Sequence, residues 1–144
     1  MRSFVAAAVL SLVSTIAMAQ ASPVGLWKTI DDDGKTEKSL VRITENGGVL
    51  TGTIEKVFDP AKQDAKCDKC TDDRKDKPVT GMQIIRGVKQ DSDDKSHWEG
   101  GEILDPNNGK TYKTRLKAVD GGKKLEMRGY IGFFYRTQVW VRAE

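Results

Sequence analysis

The rhythm of apolar and polar residues changes once along this chain, near residue 20. Before that point lies one apolar run, Phe4–Ile16, and after it come short segments of mixed pattern. Alternation is clearest late in the chain. Tyr112, Thr114, Leu116 and Ala118 share one face of a period-two strand, and Lys113, Arg115 and Lys117 share the other. Leu125, Met127, Gly129 and Ile131 likewise oppose Lys124, Glu126, Arg128 and Tyr130. One apolar and one charged face is the pattern of an antiparallel sheet with a single wet side.

Turn residues divide the chain into eight such segments: Val24–Ile30, Lys38–Thr44, Val49–Phe58, Met82–Lys89, Ser96–Leu104, Lys110–Val119, Lys124–Ile131 and Thr137–Arg142. Several separators hold Asp-Gly, Asn-Gly or Gly-Gly pairs, which short hairpins favour. The densest turn is Asp105–Gly109, where proline pre-sets its own φ and Asn107, Asn108 and Gly109 tolerate positive φ. Eight strands in a meander leave two exposed edges unless the sheet closes. The pattern therefore predicts an all-β, eight-stranded antiparallel up-and-down barrel over residues 20–144, with room for side chains or one small ligand. A two-sheet sandwich is the alternative. Gly52, Gly87, Gly100, Gly101 and Gly129 interrupt strand patterns, where glycine marks a bulge, a bend or a close approach.

One connection is long. Residues 59–77 are polar, alternate in charge, and leave room for a short helix over Asp59–Thr71. Long loops in compact domains are often functional. The stretch Lys56–Lys77 is read as a lid over the barrel mouth, or else as a solvated excursion.

The opening residues read as an export signal. Arg2 supplies a positive n-region, the apolar run follows, and Ala17-Met18-Ala19 forms a cleavage box before Gln20. Residues 1–19 are thus expected to be a signal peptide and the mature protein periplasmic or secreted, with no membrane span, since the run is shorter than the roughly twenty residues a span needs. The chain's formal charge is +3, one of it from Arg2. Nucleic-acid binding would require a more asymmetric charge. A segment of this size buries its own core and is expected to be a monomer.

Cys67 and Cys70 form a C-x-x-C pair. In an oxidising space a small structural disulfide is the default. Zinc needs four ligands, and the chain offers one histidine and no third cysteine. A redox motif would open a helix in a βαβ setting, which is not evident. Closing so short a loop contributes about 2 kcal/mol.

Candidate chemistry is sparse. Asp105, Asn107 and Gly109 resemble the start of a calcium loop, but Pro106 intervenes and Leu116 stands where a bidentate glutamate is needed. No nucleophile-elbow or zinc-protease motif accompanies His97, so no enzyme, cofactor or metal is assigned. Glu99 and Glu102 fall on opposite faces of one strand. If Trp98 points inward, strict alternation carries Glu102 inward too. The candidate ligand contacts are Trp98, Glu102, Tyr112, Arg128 and Tyr130. The last two reach the interior only if a bulge at Gly129 breaks the register; otherwise they are surface residues.

Gly25-Leu26-Trp27 is a G-x-W on the first strand, and Trp140-Val141-Arg142 ends the last. Both resemble the lipocalin group. The resemblance implies that Trp27 plugs the closed end and that Arg142 packs across it. A wider set of motifs spans residues 24–142: the G-x-W, the cysteine pair, W-x-G-G-x-I-x-D-P-x-N-G-K-x-Y at Trp98–Tyr112, R-G-Y-I-G at Arg128–Gly132, and R-T-Q-x-W-x-R at Arg136–Arg142. In that order they resemble an uncharacterised family of small exported bacterial proteins, a domain of unknown function with a lipocalin-like barrel. The chain departs from it after Gly132, where Phe133-Phe134-Tyr135 is shorter than the family's glycine-containing link. The resemblance and strand number imply non-catalytic binding of a small hydrophobic or amphipathic ligand. The alternative is an envelope protein-interaction or stress module using an outer face such as Lys113, Arg115 and Lys117, with little or no cavity.

Overall fold

A computed structural model of the chain describes residues 21–144. The expected leader, residues 1–19, lies outside the described residues. Eight antiparallel strands follow in order: β1 Gly25–Ile30, β2 Glu37–Asn46, β3 Val49–Val57, β4 Gln83–Gln90, β5 Trp98–Asp105, β6 Lys110–Val119, β7 Lys124–Ile131 and β8 Phe134–Arg142. Each pairs with its sequence neighbours, and β8 returns to β1, so the sheet is a closed barrel. The up-and-down barrel holds and the sandwich does not arise.

The meander sorts the connections onto two ends. Residues 21–24, the C-terminus and the β2–β3, β4–β5 and β6–β7 turns form one end, and the β1–β2, β3–β4, β5–β6 and β7–β8 connections form the mouth. Alternation sets the interior. Trp27 and Thr29 of β1, Val41 and Ile43 of β2, Leu50 and Ile54 of β3, Leu116 of β6, and Leu125 and Met127 of β7 are all buried. The end opposite the mouth is sealed by Trp27, whose indole N–H donates to Pro23 O at 2.7 Å. The Arg142 guanidinium lies 4.2 Å from the Trp27 ring centroid.

Two strand readings change. β8 begins at Phe134 rather than Thr137, because Gly132, at φ 58°, and Phe133 form a two-residue turn and pairing resumes at Ile131–Phe134. On β5 the register shifts between Trp98 and Gly101. There the backbone of β4 crosses tightly: a Cβ on Gly101 would lie 2.2 Å from Arg86 O and 2.6 Å from Val88 N. Glycine at this crossing is a packing requirement, and the irregularity moves every following side chain to the other face.

The long β3–β4 connection folds on itself. Its only helical piece is the short turn Pro60–Lys62, capped by Asp59. Cys67 and Cys70 form a disulfide, both buried. Lys66 bridges to Pro78, Cys67 N–H donates to Lys77 O, and Val79 N–H donates to Ala65 O. Arg74, only 6 % exposed, grips Asp72 and donates to Gln83 O at 2.9 Å, while Arg86 makes a forked pair with Asp73 at 3.0 Å. A loop whose ends meet and whose own side chains pack it is a compact Ω-loop.

A ligand-sized cavity at the barrel mouth

The strands diverge above the Trp27 seal and leave a cavity of about 1000 Å³ open at the mouth. That volume is at the upper end of the roughly 300–1,000 Å³ range of small-molecule sites. The cavity has two unlike walls. Ile54, Ile84, Ile103, Met127 and Ile131 form an apolar side from β3 round to β7. Thr29, Ser39, Arg136 and Gln138 form a polar side from β1, β2 and β8. The Thr29 and Ser39 hydroxyls are 2.7 Å apart and buried at the floor. Gln138 accepts from the Trp140 indole N–H at 2.9 Å and donates to Asp32 at 2.8 Å, and Arg136 pairs with the same aspartate at 3.1 Å.

The Ω-loop contributes the rim. Lys62, Lys66, Asp68 and Lys69 border the cavity, together with Asp59. The loop is held down by the β5–β6 hairpin: a Cβ on Gly109 would lie 2.0 Å from Lys69 O, so the two backbones are in contact there. Asp105 shapes that hairpin, its side chain accepting from Asn107 N–H at 2.9 Å and its carbonyl from Gly109 N–H at 2.8 Å. The excursion thus occupies the place of a lid, stiffened internally by the disulfide and fastened to the barrel by Arg74 and by Gly109.

The candidate ligand contacts separate. Tyr112 lines the cavity, its hydroxyl accepting from the Asn108 amide at 2.9 Å. Trp98 points inward but is buried lower in the core, opposite Leu116, and does not border the cavity. Glu102 is exposed on the outer face beside Lys113, because the register shift after Trp98 reverses its orientation. Arg128 and Tyr130 also stand outside: β7 pairs through Gly129 without a break, opposite Thr114 and Arg136. Arg128 stacks 4.1 Å from the Tyr135 ring centroid, with Tyr130 6.0 Å from the same ring. The assignment of Glu102, Arg128 and Tyr130 to the interior is therefore corrected.

His97 sits at the far end from the mouth, 3.5 Å from Asp94. Nearby, a hydrogen bond that the protonated Glu99 carboxyl donates to Asp91, together with partial burial, raises Glu99 above its ordinary value. Neither group borders the cavity. Sequence reasoning missed Thr29, Ser39 and Gln138. The period-two rule applied from Trp27 and Val41 would have found the first two. Asp32 and Arg136 are 104 positions apart, and nothing local couples them.

A family model described as an uncharacterized protein conserved in bacteria (DUF2147) matches residues 25–142. The chain belongs to this family. Among solved structures, it is similar to one titled "Protein HP1028 from the human pathogen Helicobacter pylori belongs to the lipocalin family". The TM-score is 0.72 at 20% identity, over 86% of this chain and 84% of that one. At that identity the likeness concerns the fold, which is lipocalin-like. No curated protein matches the sequence.

Proposed function

We propose that this protein is an exported, non-catalytic carrier that holds one small, partly apolar molecule in its barrel. The observation that supports this most is the cavity itself: about 1000 Å³, floored by core residues and lined on one side by aliphatic side chains. A packed barrel would offer no such volume. The two walls define the ligand's shape. An aliphatic or aromatic body meets Ile54, Ile84, Ile103 and Met127, while hydrogen-bonding groups along one edge meet Thr29, Ser39 and Gln138. The rim is mixed in charge, with Lys62, Lys66 and Lys69 beside Asp59 and Asp68, so it sets no sign for the ligand's exposed end.

Export is supported by the signal-like opening and suits the buried disulfide, which persists in oxidising compartments. Native mass spectrometry of protein purified from the periplasm, with organic extraction of the same sample, tests both parts. The reading expects a discrete added mass that the extract identifies as an amphipathic molecule. Protein absent from the periplasm contradicts the export reading, and protein that never carries or accepts such a molecule contradicts the carrier reading.

A further inference from the structure

Exposed apolar side chains gather in one place. Among the described residues, the large exposed hydrophobics other than Val24 all belong to the β7–β8 hairpin: Ile131 at the cavity rim, and Phe133, Phe134, Tyr135, Val139 and Val141. Phe133 at the tip is fully exposed. Patches of this kind mark interaction sites.

The same hairpin carries the weakest seam of the barrel. β1 and β8 pair only at Trp27–Arg142 and Lys28–Val141, with Ala143 N–H donating to Leu26 O just below. Towards the mouth, the hydrogen bonds across the seam among the described residues are side-chain ones, from Arg136 and Gln138 to Asp32. Successive residues of a strand address opposite neighbours. Arg142 N–H donates towards β7, to Lys123 O, and Ala143 N–H towards β1, so the odd-numbered residues of β8 face the seam. Tyr135, Thr137 and Val139 thus aim their N–H and C=O groups at an edge where β1 does not pair.

We propose that this edge is a self-association site, taking β8 of a second copy of this chain, antiparallel, about a two-fold axis at Thr137. The edge sequence is complementary to itself in that register. Thr137 meets Thr137 of the second copy, and Tyr135 meets Val139 of the second copy, on the outer face and at positions that exchange backbone bonds. Thr–Thr and aromatic–β-branched pairs are among the favourable cross-strand combinations. No like charges meet, since Arg136 stands opposite Gln138 of the second copy. A bilayer would cover the aromatic tip but leave the edge N–H and C=O groups unpaired; a strand satisfies both. The contact is isologous and closes at two copies. It stands in place of the monomer expected from chain size, and the entering strand displaces Asp32 from Arg136 and Gln138 at the cavity's polar wall.

Sedimentation velocity over protein concentrations up to about 1 mM tests this, covering affinities weaker than micromolar. The purified chain is expected to show concentration-dependent dimer. Thr137→Pro removes an edge N–H that β7 does not use, so it should weaken the dimer at least about tenfold while the circular dichroism spectrum is kept. Should that variant lose its fold, variants with one cysteine added beside the Cys67–Cys70 disulfide decide. Thr137→Cys, on the axis, is expected to crosslink to itself under mild oxidation far more than Tyr135→Cys or Val139→Cys. A chain that stays monomeric throughout, a dimer indifferent to Thr137→Pro, crosslinking without preference for position 137, or association only with added phosphatidylglycerol vesicles or an added extended peptide overturns the proposal.

Discussion

The Arg142 guanidinium, on the last strand, lies 4.2 Å from the ring centroid of Trp27 on the first and donates to three carbonyls around it, those of Ser22, Val24 and Gly122. One side chain thus ties the N-terminal segment, the β6–β7 turn and the floor of the barrel together. Replacing it with methionine keeps much of the apolar stem but loses the cation and strands those carbonyls. We expect Arg142→Met to cost about 3 kcal/mol in urea unfolding. Arg142→Lys should recover only part of this, because an ammonium cannot present the same planar fork. Equal stability for Met, Lys and the natural residue would contradict the role given to this contact.

Gly109 holds the Ω-loop to the hairpin. Its φ is 73°, and a Cβ there would lie 2.0 Å from Lys69 O and 2.2 Å from Lys69 C. Gly109→Ala therefore meets both backbone strain and a backbone obstacle, neither of which a rotamer change relieves. We expect a loss of about 3 kcal/mol, and faster amide exchange across the loop residues from Lys66 to Lys77. Unchanged exchange in that loop would show that the hairpin does not fasten it.

Acid should loosen the same loop. The Arg74 guanidinium bonds to the Asp72 side chain and holds its carboxyl at about 2, below the ordinary 3.8. Because the folded value is the lower one, the pair's stabilisation is present above 3.8 and is lost as pH falls through about 2. Asp73, bonded by Arg86, is lowered in the same direction. Unfolding midpoints measured from pH 5 down to about 2 should fall less steeply in Asp72→Asn than in the natural chain. Parallel curves would remove Asp72 from the acid response.

How far the sequence discloses this structure differs from strand to strand. β6 and β7 alternate without interruption, and the faces read from plain alternation stand: Leu116, Leu125 and Met127 inward, Lys113 and Arg115 outward. The bulge at Gly129 that would have turned Arg128 and Tyr130 inward does not occur. The turn at Asp105–Gly109 is also where residue chemistry puts it, since Asp105 and Asn108 satisfy the turn from their own side chains. β5 defeats simple alternation. Gly100-Gly101 signals a bend or close approach, but only the tight crossing of β4 shows that the phase inverts and turns Glu102 outward. The start of β8 was hidden in a similar way, because Phe134 and Tyr135 are strand residues exposed to solvent. The polar cavity wall is less legible still. Asp32 joins Arg136 and Gln138 only because the barrel closes, a contact across the whole chain length.

The claim that the cavity is a binding site can be tested at Gly129. This residue lines the cavity, lies in an unbroken ladder, and has room for a Cβ, whose nearest neighbour would be Tyr112 Cβ at 3.8 Å. A large side chain there fills the space without forcing the backbone. The deciding measurement is the affinity of a fluorescent polyunsaturated fatty acid for the natural chain and for Gly129→Trp, with Arg128→Ala on the outer face as a control. The account predicts saturable binding by the natural chain, at least about a tenfold loss in Gly129→Trp, and no change in Arg128→Ala. Binding that survives the filled cavity, or that falls equally in Arg128→Ala, would contradict it.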